Sequence, residues 1–127
     1  MTMNSSVPYL LRAINEWIVD NGCTPYLILD TAVNDTSVPM EYVKDGQIVL
    51  NISAAAIRDL VISEKHVAFS GRFGGVPHEI YAPMEAVMGI VAKENGEGMW
   101  FPREEAAPEP PPKPGKKKGP PNLKVIK

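Results

Sequence analysis

At Pro102 the composition of this chain changes, and that boundary limits what the chain can fold into. From Pro102 to Pro121 proline, lysine, glutamate and glycine dominate, including the runs Pro110-Pro111-Pro112 and Lys116-Lys117-Lys118. Such a segment buries too little apolar surface to offset the entropy of ordering it, so it is expected to stay disordered. Of the 127 residues, roughly a hundred are left, enough for one compact domain and not for a second. Beyond the spacer come Leu123-Lys124-Val125-Ile126-Lys127, apolar residues interspersed with lysines and without a core in reach. An apolar frayed terminus is the bland account of them. A peptide ligand held on a spacer for a partner is the functional one, and it describes a chain that joins two things and transforms neither.

The net charge of -2 conceals an asymmetry. From Pro102 onward seven basic residues face three glutamates, +4, so the preceding body carries -6. A body that acidic repels phosphate backbones, which disfavours nucleic-acid binding by the folded part. An RNA-binding module with a basic tail is the main rival reading. It requires aromatic and basic residues clustered on a sheet, and the acidic body opposes it. Cys23 is the sole cysteine, which excludes an intramolecular disulfide and fits a reducing cytoplasm. Met1 to Val7 lacks the basic region of a secretory signal, and no apolar run is long enough to span a bilayer.

Catalytic constellations are not legible. His66 and His78 are the only histidines; neither has a neighbouring imidazole or a paired-cysteine motif, so no metal site and no cofactor are expected. There is no GxSxG elbow and no phosphate loop ending in Lys-Ser or Lys-Thr. Arg72-Phe73-Gly74-Gly75 follows a strand-like run without opening a helix, which is not how a phosphate cradle is built. A non-enzyme is expected.

The periodicity of the body reads as mainly β with one leading helix. Pro8 suits a first helical turn, and Leu10, Leu11, Ile14, Trp17 and Ile18 recur at helical spacing until Asn21-Gly22 stops them. Strands are expected at Tyr26–Asp30, Val38–Val43, Ile48–Ile52, Leu60–Ile62, Val67–Phe73 and His78–Ala82. Asp45-Gly46 and Asn95-Gly96 serve as hairpin turns, the latter between Gly89–Glu94 and Met99–Phe101. Short strands at close intervals predict a small barrel or sandwich with a helix attached. The helical stripe covers the domain's own sheet or packs on its twin across a two-fold axis. Along the run from Val67, residues Val67, Phe69, Gly71 and Phe73 share one face and Ala68, Ser70 and Arg72 the other. Gly71 leaves a gap, and Arg72 beside it can fork onto a carboxylate; a bulge beside an ordinary surface charge explains the same residues.

Pro8-Tyr9-Leu10-Leu11-Arg12-Ala13, Glu16-Trp17, Asp20-Asn21 and Thr24-Pro25-Tyr26 together resemble the opening of the SspB (stringent starvation protein B) family. Val38-Pro39-Met40-Glu41-Tyr42, the run Asp45 to Ile52, Arg72-Phe73-Gly74-Gly75, Glu94-Asn95-Gly96 and Leu123 to Lys127 continue the resemblance in order. It implies a Sm-like barrelled sheet preceded by a helix, in a cytoplasmic, non-enzymatic adaptor. Such adaptors bind the ssrA degradation tag added during ribosome rescue and hand tagged chains to the ClpXP protease. By the same resemblance residues 1–101 are the substrate-binding and dimerisation domain, 102–121 the linker and 122–127 the docking peptide. The tag groove falls around Phe69, Ser70, Gly71, Arg72 and Phe73, with Met40, Ala56 and Ile57 nearby. Leu10, Leu11, Ile14, Trp17 and Ile18 form the homodimer contact, and Leu123, Lys124, Val125, Ile126 and Lys127 dock on the N-terminal domain of ClpX. The linker departs from the longer acidic one of many relatives: it is short, proline-rich and basic, and Arg103–Pro121 extends at most ~60 Å.

Overall fold

A computed structural model describes residues 3–101. The expected linker, 102–121, and docking peptide, 122–127, lie outside the described residues. Helix α1 runs over Val7–Asp20, followed by strands β1 (Pro25–Asp30), β2 (Gln47–Asn51), β3 (Ile57–Ile62), β4 (His66–Phe73), β5 (Val76–Pro83), β6 (Val87–Ala92) and β7 (Gly98–Trp100). Short 3-10 turns occupy Met40–Tyr42 and Met84–Ala86.

The local signals behave as their chemistry requires. Pro8 sits in the first turn of α1, where its missing N–H costs nothing. At the other end Asn21 Nδ2 donates to the Trp17 carbonyl at 2.8 Å and Gly22 turns the chain at φ +73°. Asp45 and Gly46 both take positive φ, 54° and 76°, and Lys44 and Gln47 exchange backbone hydrogen bonds across them. The expected strand Val38–Val43 is absent. Tyr42 N donates to the Pro39 carbonyl and Val43 N to Met40, and these tight bonds wind the segment into a turn. Pro39 has no N–H to start a ladder there.

The strands form two antiparallel sheets, ordered β2-β1-β6-β7 and β3-β4-β5. The expected barrel does not close. The Ser53–Ala56 turn separates β2 from β3, and the turn at Met84–Ala86 separates β5 from β6, so each ladder ends at a corner. The core lies between the sheets and α1. It takes Leu27, Leu29, Ile48, Leu50 and Ile90 from the larger sheet, Val67, Phe69 and Ile80 from the smaller, and Leu11 and Ile18 from the helix.

One polar tie reaches across the fold. Thr24, in the α1–β1 link, donates from its backbone N and its Oγ1 to the Glu94 carboxylate in the β6–β7 turn, both at 2.8 Å. Hydrogen bonding, first from the Thr24 N–H and then from its hydroxyl, holds the Glu94 carboxyl below its ordinary pKa of 4.5.

Candidate functional site

Register places part of the expected groove on one surface. Ile57 pairs with Gly71 on β4, and Gly71 pairs with His78 on β5, so the three form a row across the smaller sheet. Phe73 and Val76 stand in the next row, at the mouth of a hairpin turned by Gly74 and Gly75 at φ +61° and +84°. The Met40–Tyr42 turn comes down on this hairpin. Tyr42 lies 5.4 Å from the Phe73 ring, and His78 meets that ring edge-on at 5.6 Å. A Cβ at residue 74 would stand 2.9 Å from Tyr42 Oη. Gly74 therefore permits both the tight turn and the seat of Tyr42.

The result is an aromatic and aliphatic surface at the open end of the smaller sheet. Met40 is 63% exposed, Val76 54% and Tyr42 45%, while Ile57, Phe73 and His78 are half-buried beneath them. Such a patch suits an extended apolar or amide-bearing segment. Main-chain groups at the sheet edge can supply hydrogen bonds and the rings can supply contact area.

The other expected groove residues separate by strand alternation. Phe69 is 2% exposed and belongs to the core. Gly71 is buried, and a Cβ added there would meet Ile57 Cγ2 at 3.4 Å and Phe73 Cε1 at 3.6 Å. Its gap is filled by the chain's own side chains. Ser70 and Arg72 point to the opposite face of β4, where Ser70 Oγ donates to Glu79 Oε2 at 2.6 Å. The Arg72 guanidinium donates to the Gly75 carbonyl at 3.3 Å and so stays near the hairpin tip. Ala56 is exposed in the turn before β3. Tyr42, Val76 and His78 were not among the expected groove residues. The register about the Gly74-Gly75 turn, which sets Val76 opposite Phe73 and His78 opposite Gly71, is the signal that could have found two of them.

Helix α1 divides similarly. Leu11 and Ile18 are buried at 0% and 2%, and Leu10 and Ile14 pack against the same core. Of the five residues expected at a dimer contact only Trp17, 46% exposed, faces outward; Tyr9 of the same helix is 52% exposed. The chemistry-bearing side chains are engaged in local structure. Ser63 Oγ lies 3.0 Å from His66 Nδ1 but also accepts from the N–H groups of Lys65 and His66, which makes it a turn brace. His66 stacks on Tyr81 at 5.1 Å. Cys23 is a free, half-buried thiol 3.6 Å from the Asn21 carbonyl. Among the described residues no group of three or more histidine, cysteine or acidic side chains could hold a metal ion, and no helix is long and apolar enough to cross a membrane.

A mainly antiparallel β domain, led by one helix and carrying an aromatic surface at a sheet end, is the class of protein this defines. Residues 5–122 match the sequence profile described as stringent starvation protein B. The chain is 52% identical over 98 residues to the stringent starvation protein B homolog of Haemophilus influenzae, an overlap covering 77% of this chain. The chain belongs to the stringent starvation protein B family. The overlap spans 65% of the length of that relative.

Proposed function

We propose that the chain is a non-enzymatic adaptor that grips ssrA-tagged polypeptides on its folded body and delivers them to ClpXP through Leu123–Lys127. The observation that carries the reading is the half-exposed surface of Met40, Ile57, Tyr42, Phe73, Val76 and His78 in a member of this family. It offers a peptide contact area. Arg72 at the hairpin tip supplies a forked cation to an acidic or amide side chain of the tag. Two copies joined through the Trp17 side of α1 give two such surfaces and two tails.

Tethering makes both contacts effectively intramolecular, with local concentrations of about millimolar order. Two weak contacts then deliver cargo efficiently. The test is capture and degradation of ssrA-tagged cargo by ClpXP, with the full chain and with a chain lacking Leu123–Lys127. The shortened chain is expected to bind cargo equally and to lose all stimulation of degradation. Undiminished stimulation at low cargo concentration rejects the tether.

A further inference from the structure

The larger sheet has two faces, and only one looks into the core. On the other, register aligns Val49, Ile28, Gly89 and Trp100 in one row across β2, β1, β6 and β7. Tyr26 and Val91 stand in the next row on the same face. Gly89 has no side chain, and the Trp100 indole lies over it: a Cβ there would be 2.7 Å from Trp100 Cε3. Ile28 is 4% exposed although it lies outside the core cluster, whereas Trp100 is 60% exposed and Val49 53%. Helix α1 packs on the opposite side, with Leu11 and Ile18 in the core. Among the described residues no helix or strand covers this face.

We propose that it is the docking site of the chain's own proline-rich segment, Pro108–Pro114. Two observations select that occupant. The first is position. Only residues 101–107 separate β7 from Pro108; the six after the buried Phe101 reach about 20 Å when extended, against roughly 15 Å across four strands. A chain leaving the edge strand can turn back over the whole row. The second is chemistry. Five of the seven residues from Pro108 to Pro114 are proline, and such a segment is biased to polyproline II, the conformation that aromatic-lined grooves bind at low entropic cost. Trp100 and Tyr26 stand two strands and one row apart, roughly 12 Å, over a floor of Gly89 and Val91, a span between one and two polyproline II turns of about 9 Å each.

Docking takes the proline segment out of the tether and leaves Gly115–Asn122 as the free spacer, a reach of roughly 25 Å. That consequence rests on the adaptor reading; the contact itself does not. It is read on the full-length chain with Trp17→Phe, which leaves Trp100 as the only tryptophan. One version keeps Pro110–Pro112 and one carries Pro110→Ser, Pro111→Ser and Pro112→Ser. Emission and acrylamide quenching of Trp100 are followed over a wide dilution series. The expected result is blue-shifted, shielded emission with the prolines in place at every concentration, and a red shift with faster quenching once they are replaced. Equal emission and quenching in both chains overturns the proposal. Shielding that both chains lose on dilution also overturns it, because a second copy then covers the face. Cargo delivery that fails while Trp100 remains proline-shielded rejects the adaptor reading and leaves this contact standing.

Discussion

The two sheets use the same antiparallel ladder, yet they distribute their side chains differently. In the larger sheet β1 and β6 are each buried at four of six positions. In the smaller sheet β3 has no buried residue and β5 has only Ile80 and Ala82. A strand between two neighbours and under a helix contributes mainly hydrophobic burial. A strand at a sheet edge, half solvated, leaves side chains for a partner. The lesson is a division of labour: the larger sheet buries most of its inner strands, and the open end of the smaller one leaves side chains free for the contact proposed above.

Truncating the core side chain Leu29 should give the largest effect. Leu29 is 0% exposed, and Leu29→Ala should cost about 2–5 kcal/mol. Val61 on β3 is 46% exposed, and Val61→Ala should change stability by about 0.5 kcal/mol or less. Denaturant midpoints of the two variants decide the matter. Comparable losses break the division between the sheets.

The hairpin glycines sharpen it. Gly74 and Gly75 both have positive φ, but a Cβ at 75 meets nothing within 4 Å while one at 74 meets Tyr42 Oη. Gly74→Ala and Gly75→Ala should therefore share a backbone penalty of about 1–2 kcal/mol. Only Gly74→Ala should also unseat Tyr42 and weaken tag-peptide affinity. Calorimetric titration with tag peptide reads the difference, and equal affinities show that Tyr42 is no part of the surface.

Arg72 should act on binding without acting on folding. Its side chain is exposed and, among the described residues, its guanidinium bonds the Gly75 carbonyl, so Arg72→Ala should leave the denaturant midpoint nearly unchanged. Loss of a charge-assisted contact to the tag corresponds to about 1.5–3 kcal/mol, roughly tenfold or more in affinity. The deficit should shrink as salt rises. A salt-independent deficit, or none, places the tag away from the hairpin tip. Gly71→Val should do the reverse, crowding Ile57 and Phe73 and costing stability rather than blocking an open groove.

What could be read in advance follows from how far each interaction reaches along the chain. The helix with its Asn21-Gly22 stop and the turns at Asp45-Gly46 and Asn95-Gly96 are local, and their periodicity and turn chemistry were legible. Val38–Val43 was misread as a strand because its composition is strand-like, while tight backbone bonds after Pro39 decide its shape. Period-two alternation correctly grouped Val67, Phe69 and Gly71, yet it could not say that Phe69 faces the core while Phe73 emerges at the sheet end. Tyr42 reaches Phe73 across an intervening pair of strands, a contact set by tertiary packing that no local pattern encodes.

The smallest predicted effect belongs to the tie between Thr24 and Glu94, whose partners lie 70 residues apart. It fastens the end of α1 to the larger sheet at an exposed site, so it should adjust stability without determining it. Because the Glu94 carboxyl has a lower pKa in the folded chain than its ordinary 4.5, it binds a proton less readily folded than unfolded. Its contribution is then complete above the ordinary glutamate range and drains away as pH falls through the folded-state value. Glu94→Gln removes the charge and keeps one acceptor oxygen. The variant should be slightly less stable than the wild-type chain at neutral pH, and the gap should close in acid. Denaturant midpoints of the two chains across that range provide the check. A gap that persists or widens in acid shows that the ionised carboxylate does not fasten the helix to the sheet.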